Sequence, residues 1–166
     1  MSAVRTAALA ALLALGACAP AWRLPDGVLA DPAERGKLLV GGIYASTDPN
    51  DPSCCGMQRR AEFDVEKDGP ASDLAIQFYL PDIPFFRRHA QSAGVALDGR
   101  PQGTRCCFGP GMHTLLVRLP PALARSDGRV HVVLTMKYAF VPKEQHINGD
   151  VRSLSAILVQ TDFRSL

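Results

Sequence analysis

Aromatic residues are scarce in this sequence, at 7% for Phe, Tyr and Trp together, and there is a single tryptophan, Trp22. That tryptophan lies in the N-terminal segment, ahead of the period-two pattern. Charge of one sign is also missing: 18 Lys and Arg stand against 16 Asp and Glu, for a formal net charge of +2. Such a balance, with the charges interspersed, excludes nucleic acid as an electrostatic partner. There is no Gly-x-Ser-x-Gly, no His-Glu-x-x-His and no phosphate-binding glycine loop, so none of the common short catalytic motifs is present. His89, His113, His131 and His146 lack metal-ligand spacing, and Asp48-Pro49-Asn50-Asp51 lacks the glycine and distal glutamate of a calcium loop. Asp64 and Glu66 read as a solvated strand face before a catalytic pair. No repeat or low-complexity segment is present. A long apolar run is lacking too: Ala7–Leu15 is nine residues, well under the roughly 20 that a membrane-spanning helix needs.

What the N-terminus does have is the build of an export signal. Arg5 is its only charge, the apolar run follows, and slim Gly16 and Ala17 precede Cys18. That order predicts a cleavable signal helix over residues 1–17. Leu15-Gly16-Ala17-Cys18 resembles the lipobox of bacterial lipoproteins. The resemblance implies a diacylglyceryl group on the Cys18 thiol, cleavage before it and acylation of the new amine. Ala19, where an aspartate would favour inner-membrane retention, implies the outer membrane, facing the periplasm or the surface. The expected partner is thus the membrane, through lipid on Cys18.

Residues 18–37 hold Pro20, Pro25 and Pro32 with Gly27 and Gly36, which predicts a tether rather than a regular element. The folded domain is expected over residues 38–166. There the apolar pattern has period two. Ala61, Phe63 and Val65 alternate with Glu62, Asp64 and Glu66. Leu74, Ile76, Phe78 and Leu80 repeat the pattern, as do Leu115 to Leu119, Val130 to Tyr138 and Ile157 to Phe163. Leu38–Tyr44 adds an apolar strand with a bend or bulge at Gly41-Gly42, and Val95–Leu97 leads into the tight-turn signal Asp98-Gly99. Helix is expected as a turn or two near Phe85–Ala93 and Ala122–Ser126, with one short turn at Ala30–Arg35 in the tether. About seven strands with turn signals between them predict an all-β fold, an antiparallel β-sandwich of immunoglobulin-like or jelly-roll-like kind. A barrel is the rival architecture.

The five cysteines carry the sharpest chemistry. With Cys18 used for lipid, four remain as the adjacent pairs Cys54-Cys55 and Cys106-Cys107. In an exported protein disulfides are the default. A bond between neighbours closes a strained eight-membered ring, so bridges between the two loops are expected. Such bridges would tie down a face displaying Arg59, Arg105 and Phe108, the candidate binding face. The alternative use of the same cysteines, with Met57, Met112 and His113, is a soft-metal site for copper or zinc. Against it, adjacent side chains of an extended chain point opposite ways.

A second resemblance is spread along the chain. Gly42-Ile43-Tyr44, Val95-Ala96-Leu97-Asp98-Gly99, Pro110-Gly111-Met112-His113-Thr114-Leu115, Leu119-Pro120, Phe140-Val141-Pro142 and Asp150-Val151-Arg152-Ser153-Leu154 occur in that order. This series resembles the small β-sandwich domains found beside bacterial glycosyltransferases and in surface-polysaccharide gene products. Those domains often carry a Trp-rich segment before the second strand, where this chain has Cys54-Cys55-Gly56. The resemblance implies a closing motif of Phe140, Pro142, Asp150, Arg152 and Leu154, with Phe140 and Leu154 buried and Arg152 paired with a carboxylate or loop carbonyls.

Together these readings predict a membrane-anchored, non-enzymatic envelope lipoprotein, without a cofactor, acting as a binding or assembly module for an envelope protein or surface carbohydrate. The alternative is a periplasmic soft-metal protein. A hydrolase assembled from loops is a third possibility, with no motif to support it.

Overall fold

The computed structural model describes residues 39–44 and 55–165. The signal helix expected over residues 1–17, the tether over 18–37, Cys18 and Cys54 lie outside the described residues. Eight strands and two short helices follow in the order β1 (Leu39–Tyr44), β2 (Gly56–Lys67), β3 (Asp73–Leu80), α1 (Pro84–Arg88), β4 (Gln91–Leu97), β5 (Arg100–Phe108), β6 (Gly111–Arg118), α2 (Pro121–Arg125), β7 (Gly128–Met136) and β8 (Ala156–Arg164). Every strand pairing is antiparallel. The expected antiparallel β-sandwich is what forms, with its two layers joined at one corner.

That corner is β2. Its period-two segment, from Arg60 to Lys67, pairs with β7, whereas Gly56 and Met57 pair with Ile157 and Ala156 of β8. One strand therefore serves both layers. The strand order is β5-β4-β7-β2-β8-β3-β6, with β1 added beside β2. The core fills from both layers: Phe63, Leu134 and Leu97 face Ile76, Phe78 and Leu158, and all are nearly or wholly buried. The alternation seen in the sequence places Ala61, Phe63 and Val65 inward and leaves Glu62, Asp64 and Glu66 on the outside. Among the described residues Lys67, Asp73, Gln91 and Ser155 are the buried polar exceptions, the last two wholly buried. The Gln91 amide donates to the Tyr138 carbonyl at 2.8 Å and accepts from the Tyr138 N–H at 2.9 Å. The Ser155 hydroxyl bonds the carbonyls of Met57 and Gln58. Both are satisfied, so they fix the corner rather than weaken it.

The bend expected at Gly41-Gly42 is present: the β1–β2 register shifts there, and Gly42 has φ +70°. A Cβ at Gly42 would stand 1.9 Å from the Arg60 carbonyl oxygen, so only glycine fits so close to the β2 backbone.

The sequence pattern underestimates one region. Residues 100–108 read as loop, yet they form β5, hydrogen-bonded to β4 from Leu97↔Arg100 to Gln91↔Phe108. Asp98 (φ 45°) and Gly99 (φ 75°) both take left-handed conformations, the geometry of a type I′ hairpin turn. No inward-facing apolar series accompanies β5; all but Gln102 and Phe108 are exposed. Its existence follows from the turn and from pairing with β4, not from burial.

Candidate functional site

β5 and β6 are the two ends of the strand order, and they are consecutive in the chain. The sheet curls until these edges come near each other, but no ladder joins them among the described residues. A groove of about 390 Å³ follows this seam, bordered by Gln102, Gly103 and Arg105 of β5 and by Leu115, Leu116, Val117 and Arg118 of β6. It continues toward the Gly109-Pro110 turn, where Thr104, Cys106, Phe108 and Thr114 join Arg105 and Leu116.

The groove mixes donors with an apolar floor. Leu116 is 51% exposed although it is a large aliphatic side chain. Arg118 is held by Asp73, with Nε 3.1 Å from a carboxylate oxygen. Gln102 donates to the Arg100 carbonyl at 2.9 Å. Arg105 makes no hydrogen bond or ion pair among the described residues, so its guanidinium is available to a ligand. Phe108 caps the end, meeting Phe78 edge-on at 5.3 Å and His113 at 5.0 Å between ring centroids. His113 in turn bonds the Gly109 carbonyl at 2.7 Å, which fixes the β5–β6 turn.

Of the expected binding face, Arg105 and Phe108 therefore meet in the groove. Arg59 does not join them. It sits on β2 where that strand leaves β8 for β7, exposed, beside a shallow depression shared with Thr104, Thr135 and Lys137. Two further strands, β4 and β7, stand between β2 and β5. Gln102, Thr104, Leu116 and Arg118 had no sequence signal of their own; the Asp98-Gly99 turn was the usable one, because a two-residue turn demands a returning strand.

The bridges expected between Cys54-Cys55 and Cys106-Cys107 do not form at the second pair. Cys106 and Cys107 are free and exposed. Cys55 is buried at the β1–β2 corner and disulfide-bonded, with its partner outside the described residues. The Cys106 and Cys107 sulfurs are instead 2.7 Å from each other. The Cys106 sulfur holds the Cys107 thiol above the usual thiol range, with Lys137 opposing that shift.

Phe140, Pro142, Asp150, Arg152 and Leu154 lie around one loop. Phe140 and Leu154 exchange two backbone hydrogen bonds, each 2.8 Å, across the neck of a loop. Phe140 and Pro142 are buried, and Leu154 is half-buried against the core. Arg152 chelates Asp150, with Nη2 at 2.7 Å and Nε at 3.0 Å from its carboxylate oxygens, and its guanidinium lies over the Tyr44 ring at 5.1 Å. Hydrogen bonds from the Arg152 side chain, then from its backbone N–H, hold the Asp150 carboxyl below its ordinary range. The stabilisation is present above the ordinary carboxylate range and is lost as pH falls through the lowered folded value. Thermal unfolding of the wild type and of Asp150→Asn should therefore differ at neutral pH and converge in acid. A gap that stays constant with pH would show that the pair does not link folding to protonation.

A second charged cluster lies on the outer face of β2 and β7. His131 Nδ1 is 2.8 Å from Asp64, and its Nε2 is 3.5 Å from Glu62, which also pairs with Arg60 at 2.8 Å. The Arg60 hydrogen bond, foremost, keeps Glu62 below its ordinary range. Arg129 of β7 also reaches Asp64 at 3.6 Å and Glu66 at 3.3 Å across the strands, the usual cross-strand pairing. Among the described residues no three His, Cys, Asp or Glu side chains group as a metal site.

No protein family and no curated protein matches the sequence. Among solved structures the chain is similar to a carbohydrate-binding module, CBM36, in complex with calcium and xylotriose, at 10% identity and TM-score 0.42, covering 76% of this chain and 92% of that one. A CBM36-1 domain of a multidomain xylanase from the hindgut metagenome of Trinervitermes trinervoides gives 11% identity and TM-score 0.42, covering 79% and 93%. A family two carbohydrate esterase from Clostridium thermocellum in complex with cellohexaose gives 10% and 0.39, and the chain spans only 26% of its length. At that distance the likeness is one of strand arrangement, and nothing about a ligand passes to this chain from it.

Proposed function

We propose that this protein is a non-enzymatic envelope lipoprotein, anchored through lipid on Cys18 in the outer membrane, whose sandwich binds surface carbohydrate along the β5–β6 seam. The observation that carries the binding half is the groove itself. It is elongated and open, it offers Arg105, Gln102, Thr104 and Thr114 as hydrogen-bonding groups, and Leu116 provides an apolar floor. Hydroxyl-rich chains present polar edges and apolar C–H faces together, which suits such a lining. A free guanidinium adds preference for carboxylate-bearing sugars, through the two-pronged hydrogen bonding that arginine makes with carboxylates. The lipobox and the series of short motifs that resembles surface-polysaccharide proteins support the same reading.

Electrophoresis through gels containing acidic envelope polysaccharide tests it. Wild-type protein should be retarded, and Arg105→Ala should weaken binding by about tenfold, the loss of roughly 1.4 kcal/mol, with an unchanged melting curve. Unretarded wild-type protein, or equal retardation of Arg105→Ala, sinks the reading. The soft-metal alternative keeps one supporting observation, the exposed thiol pair of β5, but it loses the four-cysteine set, because Cys55 stands at the far corner.

A further inference from the structure

The β5 edge carries two neighbouring thiols that carbohydrate binding does not use. In an extended strand adjacent side chains point to opposite faces, which keeps neighbouring sulfurs apart. Cys107 leaves the extended region, with φ +73°, and the Cys106 and Cys107 sulfurs come into hydrogen-bond contact. Cys55, the second residue of the other adjacent pair, has the matching φ of 72°. Both thiols are exposed, and among the described residues β5 has a ladder on its β4 side only, so a reagent can reach them from the seam.

We propose that Cys106–Cys107 is a redox modification site, closed to a disulfide between neighbours by thiol–disulfide exchange with a disulfide oxidant and reopened by thiols. The thiolate of one cysteine attacks an oxidant R–S–S–R. A protein–S–S–R bond forms, the R–S–S–R bond breaks, and the released RS⁻ takes up the proton the thiol lost. The second thiol gives its proton to solvent and attacks the protein sulfur of that mixed disulfide. The Cys106–Cys107 bond forms, and the second RS⁻ leaves and is protonated. Two electrons pass from the protein dithiol to the oxidant, and two RSH are the products.

Reversibility follows from the connectivity. Adjacent Cα atoms are about 3.8 Å apart, shorter than the span disulfides favour, and strained bonds are the easily reduced ones. Cys106 also borders the groove beside Arg105 and Phe108, so the bond would form at the mouth of the binding surface. The site stands whether or not that surface takes carbohydrate.

The test uses the mature chain extracted in detergent, reduced, then equilibrated with defined ratios of oxidised and reduced glutathione. Trypsin cutting after Arg105 and Arg118 yields residues 106–118, which contain both cysteines and no other. With rising oxidant this peptide should lose two hydrogens in a single step and regain them on reduction. In Cys107→Ser the same peptide should carry one persistent glutathione on Cys106. Wild-type peptide bearing two glutathiones, peptide left unmodified at every ratio, or peptide cross-linked to a segment containing another cysteine would each overturn the proposal.

Discussion

Phe140→Ala should lower the melting temperature by on the order of 10 °C. The ring is 6% exposed and meets Phe86 edge-on at 5.4 Å and Phe85 at 6.0 Å. Deleting it removes apolar burial and leaves a cavity between the closing loop and helix α1, changes that together cost about 3–5 kcal/mol in well-packed cores. The loss extends beyond the ring, because Phe140 also holds the loop neck through its two backbone bonds to Leu154. The measurement is a thermal unfolding curve on the folded domain. A variant melting with the wild type would show that the loop from Phe140 to Leu154 is peripheral, and would remove the weight of the motif-level resemblance.

Cys18→Ala should transfer the protein from the membrane fraction to the soluble one. Acyl chains bind bilayers by about 0.8 kcal/mol per buried CH₂, and two or more chains make the attachment stable. Among the described residues no helix is long and apolar enough to cross a membrane, so the folded part offers no helical substitute for the lipid. Fractionation with a salt wash reads the result, which is close to all-or-none. Persistence of Cys18→Ala in washed membranes would mean that something other than lipid on Cys18 retains the protein.

How much the sequence disclosed depended on whether a residue's role leaves a periodic trace. β2, β3, β7 and β8 each bury one face, so Phe63, Ile76, Leu134 and Leu158 mark them every second position. The Asp150–Arg152 ion pair was legible for a different reason: the two are near neighbours, and a local ion pair needs no knowledge of the tertiary fold. β5 left no trace because it buries neither face, and the groove residues went unseen with it. The cysteine bridges failed on topology. Two pairs of reactive residues in flexible-looking segments invite a link between them, but strand order decides distance, and no local pattern reveals that β4 and β7 intervene.

Open sheet edges invite other chains to add strands, a common route to aggregation. The β5 and β6 edges lie near each other at the ends of the strand order, so neither stands fully open to a second molecule. β5 is further blunted: Pro101 offers no amide hydrogen, Gly103 takes φ +103°, and the register slips twice along the hairpin. A lipid-tethered protein lives at high local density on a two-dimensional surface, where strand-swapping between neighbours would be fastest. Were the chain lipid-tethered as proposed, the curled edge would give it resistance to polymerisation under that crowding.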